Sequence, residues 1–312
     1  MMVQHSQYVE KIKVTVIGGY LGSGKTTLIN HLLRNANGSR LAVLVNEFGN
    51  LPIDGDLIEA IEGEVINIVG GCICCSFGSN LVAGLLDIGL AEPRVDHILV
   101  ETSGVALPGS VAGTVQILNG FSLNGVVVMA DAEMVRQLAQ DSFLSDTITR
   151  QLTDADFVIL NKVDLVTDNS RTATLGWLAK QYPDTRLIET SRADLPPSFL
   201  LGIPQNSDRH LTDRSASHAS IFLSVSIELK NVMDVERFAE ALTSPALGLI
   251  RTKGFVKSAD GAVKALQTVG RRWELFNASE DVQCRIVCIG TNVNWNPEAL
   301  RGIIAQHSLH AA

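Results

Sequence analysis

A glycine-rich segment near the N-terminus has the spacing of a phosphate-binding loop. Residues 19–26 read Gly-Tyr-Leu-Gly-Ser-Gly-Lys-Thr and match the pattern GxxxxGK[ST] between an apolar run and a predicted helix. Glycines allow successive backbone N–H groups to surround phosphate oxygens, Lys25 can bridge the outer phosphates, and Thr26 can ligate Mg²⁺. We therefore predict binding of a nucleoside triphosphate. The predicted contacts are Gly19, Gly22, Ser23, Gly24, Lys25, Thr26 and Thr27.

A second motif indicates which base is bound. The apolar run Phe157 to Leu160 is followed by Asn161-Lys162-Val163-Asp164, an NKxD motif. The Asp164 carboxylate can accept hydrogen bonds from N1–H and the 2-amino group of guanine, whereas adenine offers neither donor, and the Lys162 stem can cover the base. GTP is therefore favoured over ATP. Ser191, after the next predicted strand, is placed to offer a backbone N–H to guanine O6, although an ordinary turn explains that segment equally well.

Two further strand ends carry acidic residues that suit GTP hydrolysis. Glu101-Thr102-Ser103-Gly104 follows the run Ile98 to Val100; Glu101 can organise Mg²⁺ through water, and the Gly104 N–H can approach the γ-phosphate. Glu47 follows the run Leu41 to Val45, either to contact the metal or the attacking water, or as part of a plain loop. We predict a GTPase that cleaves the β–γ phosphoanhydride. Its predicted catalytic residues are Lys25, Thr26, Glu47, Glu101 and Gly104.

Three cysteines, Cys72, Cys74 and Cys75, are crowded on a glycine-rich turn between the two candidate switch segments. Several thiolates close together suit Zn²⁺ or another late transition metal better than Mg²⁺. Buried apolar thiols and a redox pair are the alternatives. Cys284 and Cys288 cannot complete a closed site together, because four residues along a strand separate them by about 13 Å. We predict that these two cysteines belong to the core.

The elements that must position these residues alternate along the chain. Short runs rich in Val, Ile and Leu, of which Ile12 to Ile17 is the first, alternate with amphipathic stretches that predict helices at Thr27 to Arg34, Leu81 to Leu90, Ala132 to Ala139 and Ala173 to Gln181. This order predicts an α/β fold, a P-loop NTPase parallel sheet flanked by helices. After a linker of different composition, closely spaced strands with predicted helices at Val232 to Leu242 and Pro297 to Gln306 indicate a smaller C-terminal α+β domain. The predicted boundaries are 1–205 for the GTPase domain, 206–220 for the linker and 221–312 for the C-terminal domain.

Composition excludes several classes of partner. The 25 Lys and Arg residues against 33 Asp and Glu give a formal charge of −8, and the basic residues are scattered, so nucleic acid is not an expected partner. No apolar run approaches the roughly 18 residues of a membrane span, and the N-terminus lacks the apolar stretch of a signal peptide. We expect no membrane partner and a cytoplasmic location.

The motifs in this order, GGYLGSGKTTLINHLL, VNEFG, GGCICC, ETSG and LNKVDL, resemble the CobW family of P-loop GTPases, relatives of the nickel-insertion GTPases of hydrogenase and urease maturation. RTKGFV and GRRWEL extend the resemblance to the C-terminal region. It implies a GTP-hydrolysing metallochaperone that binds Zn²⁺ or Co²⁺ through Cys72, Cys74 and Cys75, with Glu47 as a further ligand. The expected partners are a client metalloprotein or apo-enzyme and, in a nucleotide- or metal-dependent manner, a second copy of the chain.

One departure from the family pattern concerns the segment after Gly104. The family commonly continues with Ala-Asp-Pro, whereas this chain has Leu107 before Pro108, so we expect slower hydrolysis. Two alternative functions stay open: a GTP-gated regulatory module with a structural zinc, and an activator of metalloenzymes such as nitrile hydratase. A small-molecule kinase is disfavoured because the NKxD and CxCC motifs would have no use in it.

Overall fold

The structure, a computed structural model, describes residues 11–36, 38–46, 66–70, 79–201, 222–279, 282–291 and 295–309. The chain divides into two compact units, one of residues 1–154 with 192–194 and the other of residues 155–191 with 195–312. The predicted boundaries at 205 and 221 stay a prediction. Within the described ranges, none of the helices is both long and apolar enough to cross a membrane.

Five parallel strands form the sheet of the first unit, in the spatial order β3-β2-β4-β1-β5. These strands are built from Val, Ile and Leu because helices cover both faces of a parallel sheet and leave little polar surface. All five residues of β4, for example, are buried. The strands are β1 (Ile12–Gly18), β2 (Leu41–Asn46), β3 (Ile66–Gly70), β4 (His97–Glu101) and β5 (Phe121–Asp131).

The helices of the first unit include two that the sequence pattern predicts and two that it does not. The helices predicted at 27–34 and 81–90 are confirmed, whereas the helix predicted at 132–139 is only the short segment α4, and α3 and α5 are additional. The described helices are α1 (Lys25–Arg34), α2 (Ser79–Gly89), α3 (Pro108–Ile117), α4 (Val135–Leu138) and α5 (Ser145–Asp154).

A buried row of polar side chains links three neighbouring strands of the first unit. The Thr15 hydroxyl lies 2.7 Å from His97 Nε2, and Asn124 Nδ2 donates to the same hydroxyl at 2.9 Å. The three residues belong to β1, β4 and β5. Because a buried polar group is costly unless it is hydrogen-bonded, this row favours one register for the strand that leads into the phosphate loop.

The second unit begins with a parallel strand pair, β6 and β7. Between these strands lie a short 3₁₀ helix, Val163–Leu165, and the helix α6, whose first turn is capped by the Thr167 hydroxyl. The helix predicted at 173–181 therefore begins earlier than expected. The elements are β6 (Phe157–Asn161), α6 (Asp168–Gln181), β7 (Arg186–Glu189) and α7 (Pro197–Leu201).

The rest of the second unit contains a five-stranded antiparallel sheet in the order β12-β11-β10-β13-β8 and a two-stranded ribbon, β9 with β14. The predicted α/β fold with a C-terminal α+β part is confirmed. The strands are β8 (Phe222–Glu228), β9 (Val232–Met233), β10 (Leu249–Lys257), β11 (Val263–Val269), β12 (Arg272–Asn277), β13 (Arg285–Thr291) and β14 (Ser308–Leu309).

Two helices, α8 (Val235–Leu242) and α9 (Pro297–His307), contribute to the core of the antiparallel sheet. Cys288 is fully buried in that core and Cys284 is half-buried against it, so both predicted core cysteines are confirmed. Burial raises the pKa of the Cys288 thiol to about 12, which keeps it protonated and unreactive. The helix predicted from residue 232 is wrong at its start, because Val232 and Met233 pair with β14.

Candidate nucleotide-binding site

The predicted phosphate loop connects the end of β1 to the start of α1. Three of its glycines have positive φ: Gly19 at 128°, Gly22 at 72° and Gly24 at 105°. At Gly19 a Cβ atom would also lie 2.2 Å from the backbone oxygen of Met129, so no other residue fits there. The loop therefore has the backbone that the sequence motif predicts.

Lys25 is buried at the first position of α1, and its ammonium group is held by the loop itself. Nζ donates to the backbone oxygens of Gly19 at 3.0 Å and Tyr20 at 3.3 Å. Gly24, at the N-cap of α1, supplies no side-chain cap, and the first turn contains no acidic residue. A lysine charge and an uncapped helix N-terminus at one loop favour the binding of an anion.

Thr26 contacts the predicted metal-organising acid. Its hydroxyl donates to Glu101 Oε1 at 3.0 Å, and Glu101 is the last residue of β4, only 3 % exposed. A hydroxyl and a carboxylate are hard oxygen ligands of the kind that Mg²⁺ prefers. The two residues therefore fit a magnesium site, and the structure brings them together although 75 positions separate them.

The segment after Glu101 lies against the phosphate loop. Thr102 N donates to the Ile17 oxygen at 2.9 Å, and a Cβ atom on Gly104 would lie 2.7 Å from the backbone nitrogen of Leu21. The buried hydroxyls of Thr102 and Ser103 have no hydrogen-bond partner within the described part of the chain. Buried hydroxyls without a partner are free to hydrogen-bond a bound ligand or water.

Gln151 contacts this segment too, and no sequence motif indicates it. Its carboxamide, on α5, donates to the backbone oxygens of Gly104 at 3.0 Å and Ala106 at 2.8 Å. The only sequence signal is a polar residue between the apolar positions Ile148 and Leu152 of an amphipathic pattern, where a buried side chain is expected.

In the second unit, the NKxD motif follows β6. Asn161 is buried at the strand end, Lys162 adopts a left-handed φ of 63°, and Asp164 is exposed on the short 3₁₀ helix. Left-handed backbone at a non-glycine residue costs roughly 1–2 kcal/mol. Such residues cluster at active sites and ligand-binding loops. The motif thus presents the Asp164 carboxylate to solvent.

The loop that contains Ser191 lies beside this motif. Thr190 N donates to the Leu160 oxygen at 2.9 Å, and Val163 N donates to the Thr190 oxygen at 3.4 Å. Ser191 follows directly and is half-buried. The structure therefore brings together the two segments of the second unit that the sequence associates with guanine.

The predicted transition-metal ligands, Cys72, Cys74, Cys75 and Glu47, lie outside the described residues and stay predictions. The strand β3 runs to Gly70, where it pairs in parallel with Asn46 of β2. In the ranges that the structure does describe, no group of three or more His, Cys, Asp and Glu side chains is arranged to hold a metal ion.

A parallel sheet with a glycine-rich loop between β1 and α1, followed by a lysine and a magnesium-type oxygen pair, defines a nucleotide-binding protein of the P-loop class. Residues 13–189 match the CobW/HypB/UreG nucleotide-binding domain, and residues 222–306 match the cobalamin synthesis protein CobW C-terminal domain. The chain belongs to the CobW/HypB/UreG family.

Two similar proteins cover almost all of the chain. A zinc chaperone CobW of Pseudomonas aeruginosa is 30% identical over 332 residues, which covers 91% of this chain and 88% of that protein. A zinc chaperone CobW of a Sinorhizobium species is 29% identical over 328 residues, which covers 90% of this chain and 93% of that protein.

One solved structure also aligns with most of the chain. The crystal structure of Zn(II)-bound YjiA GTPase from E. coli aligns with 96% of this chain and all of that chain, at a TM-score of 0.45 and 22% identity.

Proposed function

We propose that this chain is a GTP-hydrolysing metallochaperone that binds a transition metal at its CxCC motif and delivers it to a client metalloprotein. The main support for GTP hydrolysis is the 3.0 Å hydrogen bond from the Thr26 hydroxyl to the buried Glu101 carboxylate. It joins the phosphate loop to the strand end that precedes the predicted γ-phosphate sensor. The similarity to two proteins named zinc chaperones supports zinc as the cargo, with cobalt as the other candidate.

In this proposal GTP is the substrate, and each described motif has a role. Lys25 stabilises the negative charge on the outer phosphates, and the backbone at Gly104 contacts the γ-phosphate. Thr26 would ligate Mg²⁺ directly, and Glu101 would hold it through water. Bound Mg²⁺ would neutralise charge on the phosphate oxygens. In the second unit, Asn161, Lys162 and Asp164 recognise guanine, with the Ser191 N–H directed to O6. Glu47 contacts the metal or the attacking water.

The strand order of the first unit supports a link between nucleotide and cargo. The strands that precede the cysteines and the Glu101 segment are β3 and β4, and β2 lies between them. Neighbouring strands are about 4.8 Å apart, so the ends of β3 and β4 are about 10 Å apart at the carboxyl edge of the sheet. A γ-phosphate that orders the segment after Glu101 therefore acts close to the strand end that leads to Cys72, Cys74 and Cys75.

The test is a zinc titration against a chromophoric competitor, once with Mg-GDP and once with a Mg-bound non-hydrolysable GTP analogue. We expect the analogue to raise zinc affinity by about 5- to 150-fold, the usual scale of coupling between two sites, and zinc to raise analogue affinity by the same factor. The triple variant Cys72→Ser, Cys74→Ser, Cys75→Ser should lose this coupling but keep GTP binding, while Cys284→Ser is the matched control that should retain both.

Equal zinc affinity in the two nucleotide states would contradict the chaperone proposal. It would favour a regulatory module in which the cysteines hold a permanent zinc, because a structural zinc is released only on unfolding. Light scattering of the wild-type chain in the two nucleotide states would show whether a second copy associates in one of them, which the proposal also expects.

A further inference from the structure

Gln151 is a buried side chain that no catalytic motif explains. It lies on α5 and is 1 % exposed. Its Nε2 atom donates to two backbone oxygens, those of Gly104 at 3.0 Å and Ala106 at 2.8 Å. A carboxamide nitrogen has two protons, so these contacts use both. The reverse orientation of the amide would place its oxygen against two carbonyls, which identifies the side-chain orientation.

The backbone that Gln151 holds is also in contact with the phosphate loop. A Cβ atom on Gly104 would lie 2.7 Å from Leu21 N, so this glycine touches the loop with its Cα. Gln151 also lines, with Tyr20, Leu21 and Ser23, a cavity of about 90 Å³ beside the loop. The segment is therefore held between the phosphate loop on one side and α5 on the other.

A second α5 residue fixes the far end of the same segment. Asp154, three positions after Gln151, accepts a hydrogen bond from Gly109 N at 3.1 Å. A peptide group is planar, so each of these three hydrogen bonds, two from Gln151 and one to Asp154, restrains one peptide plane. The three planes lie between the end of β4 and the first turn of α3. The helix α5 thus restrains the backbone over residues 104–109.

We propose that Gln151 is a positioning residue for γ-phosphate recognition: it holds the Gly104–Ala106 backbone in the orientation that contacts the γ-phosphate of GTP. This inference rests on the proposed GTPase function. Its consequence is that Gln151 determines how strongly the chain prefers GTP over GDP, because GDP lacks the phosphate that this segment contacts. Binding of GDP depends mainly on the phosphate loop and the base-recognition motif, and neither of the hydrogen bonds described for Gln151 goes to these segments.

The experiment compares Gln151→Met with Gln137→Met by calorimetric titration with Mg-GDP and with a non-hydrolysable GTP analogue. Methionine has nearly the length of glutamine but no donor, and Gln137 is an exposed residue on the neighbouring helix α4. We expect Gln151→Met to reduce the ratio of analogue to GDP affinity by about 5- to 30-fold, the scale of one to two hydrogen bonds. GDP affinity should stay within about twofold, and Gln137→Met should change neither.

A purely structural role for Gln151 predicts a different result. It would lower the melting temperature and weaken both nucleotides equally, so an unchanged affinity ratio in folded Gln151→Met would overturn the inference. Wild-type protein that neither binds nor hydrolyses GTP would instead reject the proposed function itself. The two failures are therefore distinguishable.

Hydrogen exchange in the wild-type chain supplies a second measurement that does not depend on the stability of a variant. With the analogue in place of GDP, amides of residues 104–109 and of the last turn of α5 should exchange more slowly. The reason is that γ-phosphate contacts stabilise the segment, and the Gln151 hydrogen bonds pass this stabilisation to α5. Identical exchange of these two segments in the two nucleotide states would also overturn the inference.

Discussion

Lys25 allows the phosphate-loop assignment to be tested at one side chain. The hydrogen bonds described for its ammonium group go to backbone oxygens of the loop, so its removal leaves the apolar face of α1 in place. We expect Lys25→Ala to abolish GTP hydrolysis and to weaken triphosphate binding strongly while the chain still folds. Turnover assays and circular dichroism measure the two effects. Lys180→Ala, at the end of α6, is the control, and normal turnover by folded Lys25→Ala would refute the assignment.

Asp164 allows the same kind of test for base recognition. Asp164→Asn should weaken GTP binding by about 2–3 kcal/mol, because an amide cannot accept from both guanine donors as a carboxylate does. The variant should gain affinity for xanthosine triphosphate, whose 2-oxo group can accept from the new amide. Competitive binding of the two nucleotides measures the change, with the exposed Asp168→Asn on α6 as control. Undiminished GTP preference would exclude Asp164 as the base contact.

The phosphate loop and the base motif could be predicted from the sequence because their residues are close together in the chain. Gly19 to Thr26 determine their own backbone, since the three positive φ values fall on glycines. Gln151 could not be predicted, because its two acceptors, Gly104 and Ala106, lie 47 and 45 positions away. A side chain whose role depends on such long-range contacts leaves no local pattern.

At the scale of elements, the departure of this chain from the family pattern, Leu107 before Pro108, falls at the start of α3. Leu107 occupies the N-cap of α3 and supplies no side-chain hydrogen bond. An aspartate at this position would cap the helix by accepting from Gly109 N or Ser110 N. In this chain Asp154 of α5 accepts from Gly109 N instead, at 3.1 Å. A carboxylate thus still serves the helix start, and the expectation of slower hydrolysis stays a prediction.

A double-mutant cycle tests this exchange of caps. We expect Asp154→Ala to lower the free energy of unfolding by about 1 kcal/mol, the cost of a lost N-cap. In the background of Leu107→Asp the same substitution should cost less than about 0.5 kcal/mol, because the introduced carboxylate would supply the acceptor. Asp154→Asn, which keeps an oxygen acceptor, should be milder than Asp154→Ala. Urea unfolding measures all of these proteins, and equal costs in the two backgrounds would show that the caps are independent.

Elements with strong periodicity could be predicted, whereas those formed by distant pairing could not. The runs at 12–17 and 157–160 form strands whose residues are buried on both faces, apart from the partly exposed Lys13. The strand β12 lacks alternating burial, and the helix α3 contains Gly109 and Gly113, which lower helix propensity. Residues 232–233 extend a helical pattern but form a strand, because their partner lies at the opposite end of the C-terminal region.

At the scale of the whole molecule, the contact grouping differs from the predicted domain boundaries. Residues 155–191 group with the C-terminal sheet and not with the rest of the sheet that precedes them in sequence. Several polar contacts inside the second unit contribute to this grouping. Asp156, 1 % exposed, pairs with Arg272 at 2.7 Å, and Arg186 donates to the backbone oxygens of Leu249 and Thr243. Burial lowers the pKa of Arg186 to about 10, which the nearby Asp156 charge partly opposes.

These contacts predict how a chain cut at the predicted boundary behaves. A fragment of residues 1–205 lacks Arg272 and the oxygens of Leu249 and Thr243, so Asp156 and Arg186 become exposed to water. We therefore expect it to melt below the whole chain. Arg186→Met should cost the whole chain about 2–3 kcal/mol, since one buried and one partly buried backbone oxygen lose a charged donor, but should cost the fragment less than about 0.5 kcal/mol. Urea unfolding of the four proteins measures both costs. Equal costs would mean that residues 1–205 fold as an independent domain, as the composition of the chain predicts, and that the buried arginine stabilises β7 without help from the C-terminal sheet.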